Sequence, residues 1–392
     1  MTAKTTRSGR GHGFGKVLEW SAYKHRLLKK YVRVWCYKLG VGRAELAFVD
    51  TCAGAGKYGD GEDGSPLIAP RCNDDPAMIK RGTRVTVYAF ESDPDVFPEL
   101  AANLASYSSL CPPRAFPSNE SFFENPQRVL AATRSLPTLF FVDPFGTEEV
   151  TLDRLQPILS DGDRASTELL VRIDPTMLAR YAGWVRRQSR TTDRVPGAAA
   201  FERLLKRLNI DTQQLADESG SNEQAYQSKN ELLDQYLRFY TEHFEYVQVV
   251  PVRGKYDAAP KYMLVHASDS PHGAAHLNDV VSTIEDELFE DTEERKDSDI
   301  GQGALFGPPP RPPQYTTSEL DEATYSLVVE RGQVTFIDVR AELAMTFGPD
   351  FREKHHKAAV NRLAKAGSLQ IVVGGPPLES TTILRALRAP SN

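Results

Sequence analysis

Leu46-Ala-Phe-Val-Asp50-Thr-Cys-Ala-Gly54-Ala-Gly56 is the stretch on which the reading of this chain turns. An apolar run of strand character ends at an acid and breaks at once into small residues and glycines. The glycines let backbone N–H groups approach a ligand with no Cβ in the way. Asp50, at the strand end, can hold a ligand's ammonium or hydroxyl groups. A glycine turn after a strand is also common in α/β folds, so the loop by itself leaves a plain βα turn open.

Working outward, a second strand, Arg84 to Phe90, closes on Glu91-Ser92-Asp93. A short third strand around Ala115-Phe116 closes on Pro117-Ser118-Asn119. The fourth, Thr138 to Val142, closes on Asp143-Pro144-Phe145-Gly146, and Glu168 to Ile173 reads as a fifth. Helical patterns at Pro98 to Leu104, near 124–133 and at Leu152 to Leu159 separate them. This alternation predicts a mainly parallel sheet with helices on both faces. Open α/β sheets bind ligands outside the carboxyl ends of their strands, so Asp50, Glu91 and Asp143 converge on one crevice. Beyond the fifth strand, polar helical sequence at about 175–229 reads as an insertion, with arginines around Trp184. A helix from Asn230 to His243, a hairpin of Tyr246 to Val252 and Lys261 to Ala267, and a helix from Ala275 to Leu288 follow.

The 392 residues suffice for one large domain and a small one, and 40% apolar with 26% charged residues is ordinary globular composition. No apolar run approaches a membrane span, and the first residues lack a secretory core, so no membrane is expected. Cys36, Cys52, Cys72 and Cys111 show no paired spacing and read as reduced thiols in a cytoplasmic protein. No metal set is expected; the His355-His356 doublet reads as surface. Residues 1–15 form a basic, disordered tail. Between Lys4 and Arg43 the only acid is Glu19, against a net charge of -6 for the whole chain. That asymmetry fits a polyanion partner, an acidic patch on another protein, or a solvated helix face. In the helix that begins near Glu19, Trp20, Tyr23, Leu27, Leu28, Tyr31 and Trp35 recur at helical spacing and read as packing.

Residues 291–315 pass from an acidic run into Gly307-Pro-Pro-Pro-Arg-Pro-Pro and read as a linker after a domain spanning 16–290. Residues 316–392 carry three helical patterns and a strand pair, which fits a winged helix-turn-helix. Such modules bind nucleic acid or serve protein contacts.

Gly54-Ala-Gly56-Lys-Tyr-Gly59 matches the spacing of a dinucleotide fingerprint. Asp60-Gly-Glu-Asp-Gly64 follows, however, where that fingerprint needs a helix N-terminus, and its carboxylates would repel phosphates. Glu91 also lies beyond the expected ribose-acid offset of about 20 residues. S-adenosyl-L-methionine, with an ammonium, a sulfonium and no phosphate, fits the loop better than a nicotinamide dinucleotide.

The loop Asp50-x-Cys52-x-Gly54-x-Gly56 resembles the acid-x-Gly-x-Gly-x-Gly motif of Rossmann-like class I methyltransferases, with Cys52 in place of the first glycine. More closely, Lys24-His25 with Trp35, Phe48 to Gly56, Gly64-Ser65-Pro66 and Val142 to Gly146 resemble the three-Cys-motif partner protein family (TcmP). The resemblance implies an α/β class I methyltransferase fold followed by a winged helix, and a complex with a radical-SAM-like three-Cys-motif protein. Asp143-Pro144-Phe145-Gly146 is also similar to the D-P-P-[YF] motif of amine methyltransferases, with Phe145 in the slot of the second proline. Lys24-His25 and Gly64-Ser65-Pro66 resemble features of ribosomal-RNA adenine methyltransferases.

On these resemblances Asp50, Ala53, Gly54, Gly56 and Ser65 surround the methionine portion of the cofactor. Glu91 holds the ribose, Ser92 flanks it, and Asn119 faces the adenine amine. Asp143, Pro144 and Phe145 face the acceptor, or Asp143 only caps its strand or orders the cofactor loop. Lys24 and His25 close over the cofactor, grip an anionic substrate, or sit exposed. The implied activity is methylation of an exocyclic amine of a nucleobase or nucleic acid. The alternative is a silent or conditionally active subunit of the radical-SAM-like protein.

Overall fold

Successive side chains of the central strands enter two different cores, and this period-two alternation sets the layers. Leu46 and Phe48 of β1 (Glu45–Asp50) share one core with Leu139 and Phe141 of β4 (Thr138–Val142), whereas Val49, Phe140 and Val142 enter the other. The computed structural model describes residues 19–110, 112–144, 152–159, 164–174, 233–234, 236–300, 308–374 and 377–387. The expected basic tail, the insertion at 175–229, Phe145 and Cys111 lie outside them.

Between β1 and β4 come α2 (Ser65–Ile68), a 3-10 turn (Pro70–Asp74), α3 (Pro76–Arg81), β2 (Arg84–Phe90), α4 (Phe97–Ser108), β3 (Ala115–Ser118) and α5 (Gln127–Thr133). After β4 come α6 (Leu152–Leu159), β5 (Thr167–Ile173), β6 (Tyr246–Val252) and β7 (Tyr262–Ser268). The seven strands run in the order β3-β2-β1-β4-β5-β7-β6. Pairing is parallel from β3 through β5, and β7 inserts antiparallel between β5 and β6. This is the Rossmann-like sheet of the class I methyltransferase fold expected from the sequence. Asp50 pairs with Ala89 on one side and Phe141 on the other, so the ends of β1, β2 and β4 lie side by side.

One face of the sheet is covered by α1 (Glu19–Leu39) and α7 (Pro271–Ile300). Tyr23, Leu27, Leu28, Tyr31 and Trp35 of α1 are buried, so the aromatic stripe is packing. The other face is covered by α5, α6 and the helical residues 236–241, through Val129, Leu155, Ile158, Tyr236 and Tyr240. No described helix is long and apolar enough to cross a membrane.

α7 departs from the sequence expectation, running through to Ile300 instead of ending near Leu288. The acidic start of the expected linker continues the helix and is tied to α1 by ion pairs. Arg26 meets Glu287 and Asp291, Lys30 meets Glu287, and Arg295 returns to Glu19 at 2.9 Å. The charge asymmetry between the amino-terminal arm and the body is thus met, over these residues, within the chain. The proline-rich end of the expected linker is also held. Arg311 is nearly buried, bonded to Asp286 (2.8 Å), Asp350 (3.2 Å) and the Pro349 carbonyl (2.7 Å).

The remaining elements are α8 (Thr317–Arg331), β8 (Gln333–Thr335), α9 (Phe336–Phe347), α10 (Glu353–Lys365), β9 (Leu369–Val373) and β10 (Ile383–Ala386). They enclose a separate core around Phe336, Leu343, Val360 and Leu384. The strands form an antiparallel sheet ordered β8-β10-β9, one strand more than the expected pair. α7 is buried on both sides, which explains its weak amphipathicity: Asn278 donates to the Phe351 carbonyl at 2.7 Å and Asp279 pairs with Arg340. His356, expected at the surface, is 1% exposed beneath this contact. It faces Arg340 and Asp279, and burial pushes its imidazole down to about 4.

Candidate active site

β1 delivers Asp50 to the carboxyl edge of the sheet, wholly buried because its strand is flanked on both sides. One carboxylate oxygen, Oδ1, accepts from the Cys52 amide at 3.3 Å, and the Ser65 side chain adds a hydrogen bond. The other, Oδ2, is buried with no partner. Burial raises the carboxyl to about 7, against the two hydrogen bonds. Asp50 therefore stands ready to receive a cationic donor, which would stabilise its charged form.

The chain after Asp50 curls into a closed loop. Ala53 N donates to the Phe90 carbonyl (2.8 Å), tying the loop to the end of β2, and Asn103 of α4 holds the Ala55 carbonyl (2.8 Å). Gly54 and Gly56 have φ of 58° and 82°, a region that disfavours a Cβ. Lys57 and Asp63 bridge, and Gly64 N donates to the Gly56 carbonyl at 2.8 Å. The helix that follows begins only at Ser65 and has four residues. This is a hairpin where a dinucleotide fingerprint would place a long helix, as the acidic sequence implied.

At the neighbouring strand ends, Glu91 Oε1 accepts from the Asp93 amide at 2.7 Å and Asn119 Nδ2 donates to the Glu91 carbonyl at 2.9 Å. Ser92 and Asn119 are exposed. Glu91, Ser92 and Asn119 thus share one corner of the edge.

The other group forms around Asp143. Lys24 reaches over from α1 and binds Asp143 Oδ2, and both side chains are nearly buried. Arg172 of β5 approaches Asp143 Oδ1 at 3.4 Å and the Pro144 carbonyl at 3.5 Å, with its guanidinium 4.4 Å from the Tyr262 ring centre. Burial alone would raise the Asp143 carboxyl, but Lys24 and Arg172 overcome it and hold it below its ordinary value. Burial likewise opposes the Lys24 ammonium, and Asp143 more than offsets it. His25 is buried and bonded through Nε2 to the Tyr58 hydroxyl at 2.9 Å. Burial, then Lys24 and Lys29, lower its imidazole to about 4, so it is neutral. The exposed alternative for Lys24 and His25 is therefore overturned, because the stripe that docks α1 carries both inward.

The structure thus brings Lys24, His25, Asp50, Ser65, Asp143 and Pro144 into one electrostatically coupled cluster, with Glu91, Ser92 and Asn119 beside it on the same edge. Tyr58, Arg172 and Tyr262 belong to the cluster and were not singled out in the sequence. Arg172 had a signal: it is the one cation in the otherwise apolar run Leu169 to Ile173. Tyr58 and Tyr262 had none beyond residue type.

No family model matches the chain, and no curated relative does. Among solved structures, a Legionella pneumophila protein aligns at 12% identity over 70% of this chain and 94% of its own, with a TM-score of 0.39. A Clostridium thermocellum protein described as an rRNA methylase aligns at 13% identity over 63% and 96%, with a TM-score of 0.31. A Bacillus cereus O-methyltransferase solved with S-adenosylhomocysteine aligns at 11% identity over 61% and 80%, with a TM-score of 0.30. The fold assignment rests on the strand order rather than on these loose likenesses.

Proposed function

We propose that this chain binds S-adenosyl-L-methionine at the carboxyl edge of its sheet and directs methyl transfer to an exocyclic amine of a nucleobase, free or within nucleic acid. The observation that carries the cofactor reading is Asp50 Oδ2, a buried carboxylate oxygen without a donor at the end of the central strand. The ammonium of the methionine portion is a donor of the required charge. Ala53, Gly54, Gly56 and Ser65 would line that portion, Glu91 and Ser92 the ribose, and Asn119 the adenine.

When bound, the cofactor supplies an electrophilic methyl group. The chain's own task is then to present the acceptor. Asp143 and the Pro144 carbonyl offer two acceptors to a target amine's N–H groups, which leaves the nitrogen lone pair free to point at the methyl carbon. The low basicity of Asp143 keeps it ionised, suited to orienting an amine and to stabilising charge that develops on nitrogen.

A second reading has a specific observation behind it. Lys24 and Arg172 each engage one Asp143 oxygen, so an acceptor amine must compete with two cations for this carboxylate. This favours activity conditional on a partner, for which the family resemblance suggests the radical-SAM-like three-Cys-motif protein. The carboxy-terminal unit is read as a winged helix on its order of helices and strands. In α10, Arg362 is held by Asp321 and Lys357 by Glu353, which favours a protein contact over nucleic acid there.

Calorimetric titration with S-adenosyl-L-methionine and, separately, NAD tests the site. Binding of the first alone is expected, with Glu91→Ala weakening it at least about tenfold, the worth of a charge-assisted hydrogen bond to the ribose. Binding of NAD alone would overturn the reading. Labelled methyl transfer to RNA, DNA and nucleosides, with and without the partner, then separates the two readings.

A further inference from the structure

Cys36 and Cys72, far apart in sequence, line the same cavity of about 530 Å³. Its walls come from α1, the tip of the 56–64 loop, the 3-10 turn Pro70–Asp74 and α3. Cys36 is fully buried on α1, while Cys72 is half-buried on the turn and packs against the same core. Each thiol lies close enough to shift the titration of the other.

Their surroundings make them unequal. Burial and the Cys72 contact push the Cys36 thiol up, so it keeps its proton. The contact with Cys36 pulls the Cys72 thiol down, against burial and the nearby aspartates. The cavity rim pairs each of its cations with an acid: Lys29 with Glu62 at 3.2 Å, Arg33 with Asp75 at 3.4 Å, and Arg71 with Asp63. A balanced rim offers no preference to a strongly charged ligand and suits a small neutral one. Neither cysteine takes part in the site at the sheet edge.

We propose that Cys36 and Cys72 are a closing thiol pair, with Cys72 reacting with a small neutral organic disulfide in the cavity and Cys36 completing an intrachain bond. In the first step the Cys72 thiolate attacks one sulfur of RS–SR, the S–S bond breaks, and one thiolate leaves. In the second, Cys36 gives up its proton, its sulfur attacks Cys72 Sγ, and the second thiolate leaves. The two cysteines lose two electrons and two protons in total, and the disulfide gains them as two RSH. The new bond ties α1, which carries Lys24 and His25, to the turn that follows Ser65.

The test treats the reduced full chain with 2-hydroxyethyl disulfide and follows intact mass and non-reduced peptide maps. The expected product is lighter by two hydrogen atoms, with the peptides of Cys36 and Cys72 joined. In a Cys52→Ser, Cys111→Ser background, Cys36→Ser should retain one mixed adduct on Cys72. Cys72→Ser in that background should leave Cys36 unreacted. A persistent adduct on Cys72 in the unsubstituted protein, a different cysteine pairing, or no reaction at Cys72 overturns the proposal. The unsubstituted protein decides the matter even where a serine variant fails to fold.

Discussion

Asp50 and Asp143 are two carboxylates at adjacent strand ends whose surroundings push them in opposite directions. Asp50, raised to about 7 by burial, is half-protonated near neutrality. A cationic ligand that needs its charged form must expel that proton, so affinity rises with pH through 7 and levels off above it. Titration with S-adenosyl-L-methionine should give a dissociation constant roughly tenfold weaker at pH 6 than at pH 8, and Asp50→Asn should flatten the dependence. Asp143 is instead held charged by Lys24 and Arg172. Lys24→Met leaves a buried carboxylate with one distant partner and should cost about 3 kcal/mol in denaturant unfolding. Adding Asp143→Leu should recover much of that loss, the signature of a coupled pair. Both acids were legible in the sequence because each closes an apolar run. The Lys24 contact was not, since it joins residues far apart in the chain, and only the docking of α1 brings them together.

At the scale of elements, the 56–64 hairpin shows how the cofactor loop keeps its shape. A Cβ on Gly64 would come within 2.9 Å of the Gly56 carbonyl oxygen, the same atom that Gly64 N bonds. Gly64→Ala must therefore open the hairpin. Loss of about 1–3 kcal/mol in thermal or denaturant unfolding is expected, together with weaker cofactor binding by titration. Strands and the closed loop were readable because glycines, acids and apolar runs alternate sharply there. α7 was misread for a physical reason. Its acidic end satisfies the compositional signature of a linker, yet Arg26 meets Asp291 there and Arg295 reaches back to Glu19 of α1. Composition counts the acids and does not see their partners.

Across the whole molecule, the carboxy-terminal unit leans on α7 through Arg340, Asp279 and the buried His356. The imidazole of His356, at about 4 when folded against 6.5 when free, must stay neutral. Between those values the unfolded chain holds the extra proton, so stability falls as pH drops from 6.5 towards 4. The loss from His356 alone is about 3 kcal/mol at the acid end. His25 acts in the same direction in the first unit. Limited proteolysis should release the carboxy-terminal unit near pH 4.5, and His356→Leu should move that release to lower pH. The proline-rich break was legible in the sequence, but the burial against α7 was not, because buried polar residues such as Asn278 and Arg340 look like surface in a sequence. The shared helix has a consequence for synthesis on the ribosome. α1 is made before α7, and the α7 surface it packs against extends to Arg295, some 260 residues beyond the end of α1. At 5–20 residues per second, the part of α1 that faces α7 waits roughly 13–50 s for its cover. During that interval the nascent chain presents a basic, aromatic helix that suits a holdase chaperone, and the arrival of α7 ends the exposure.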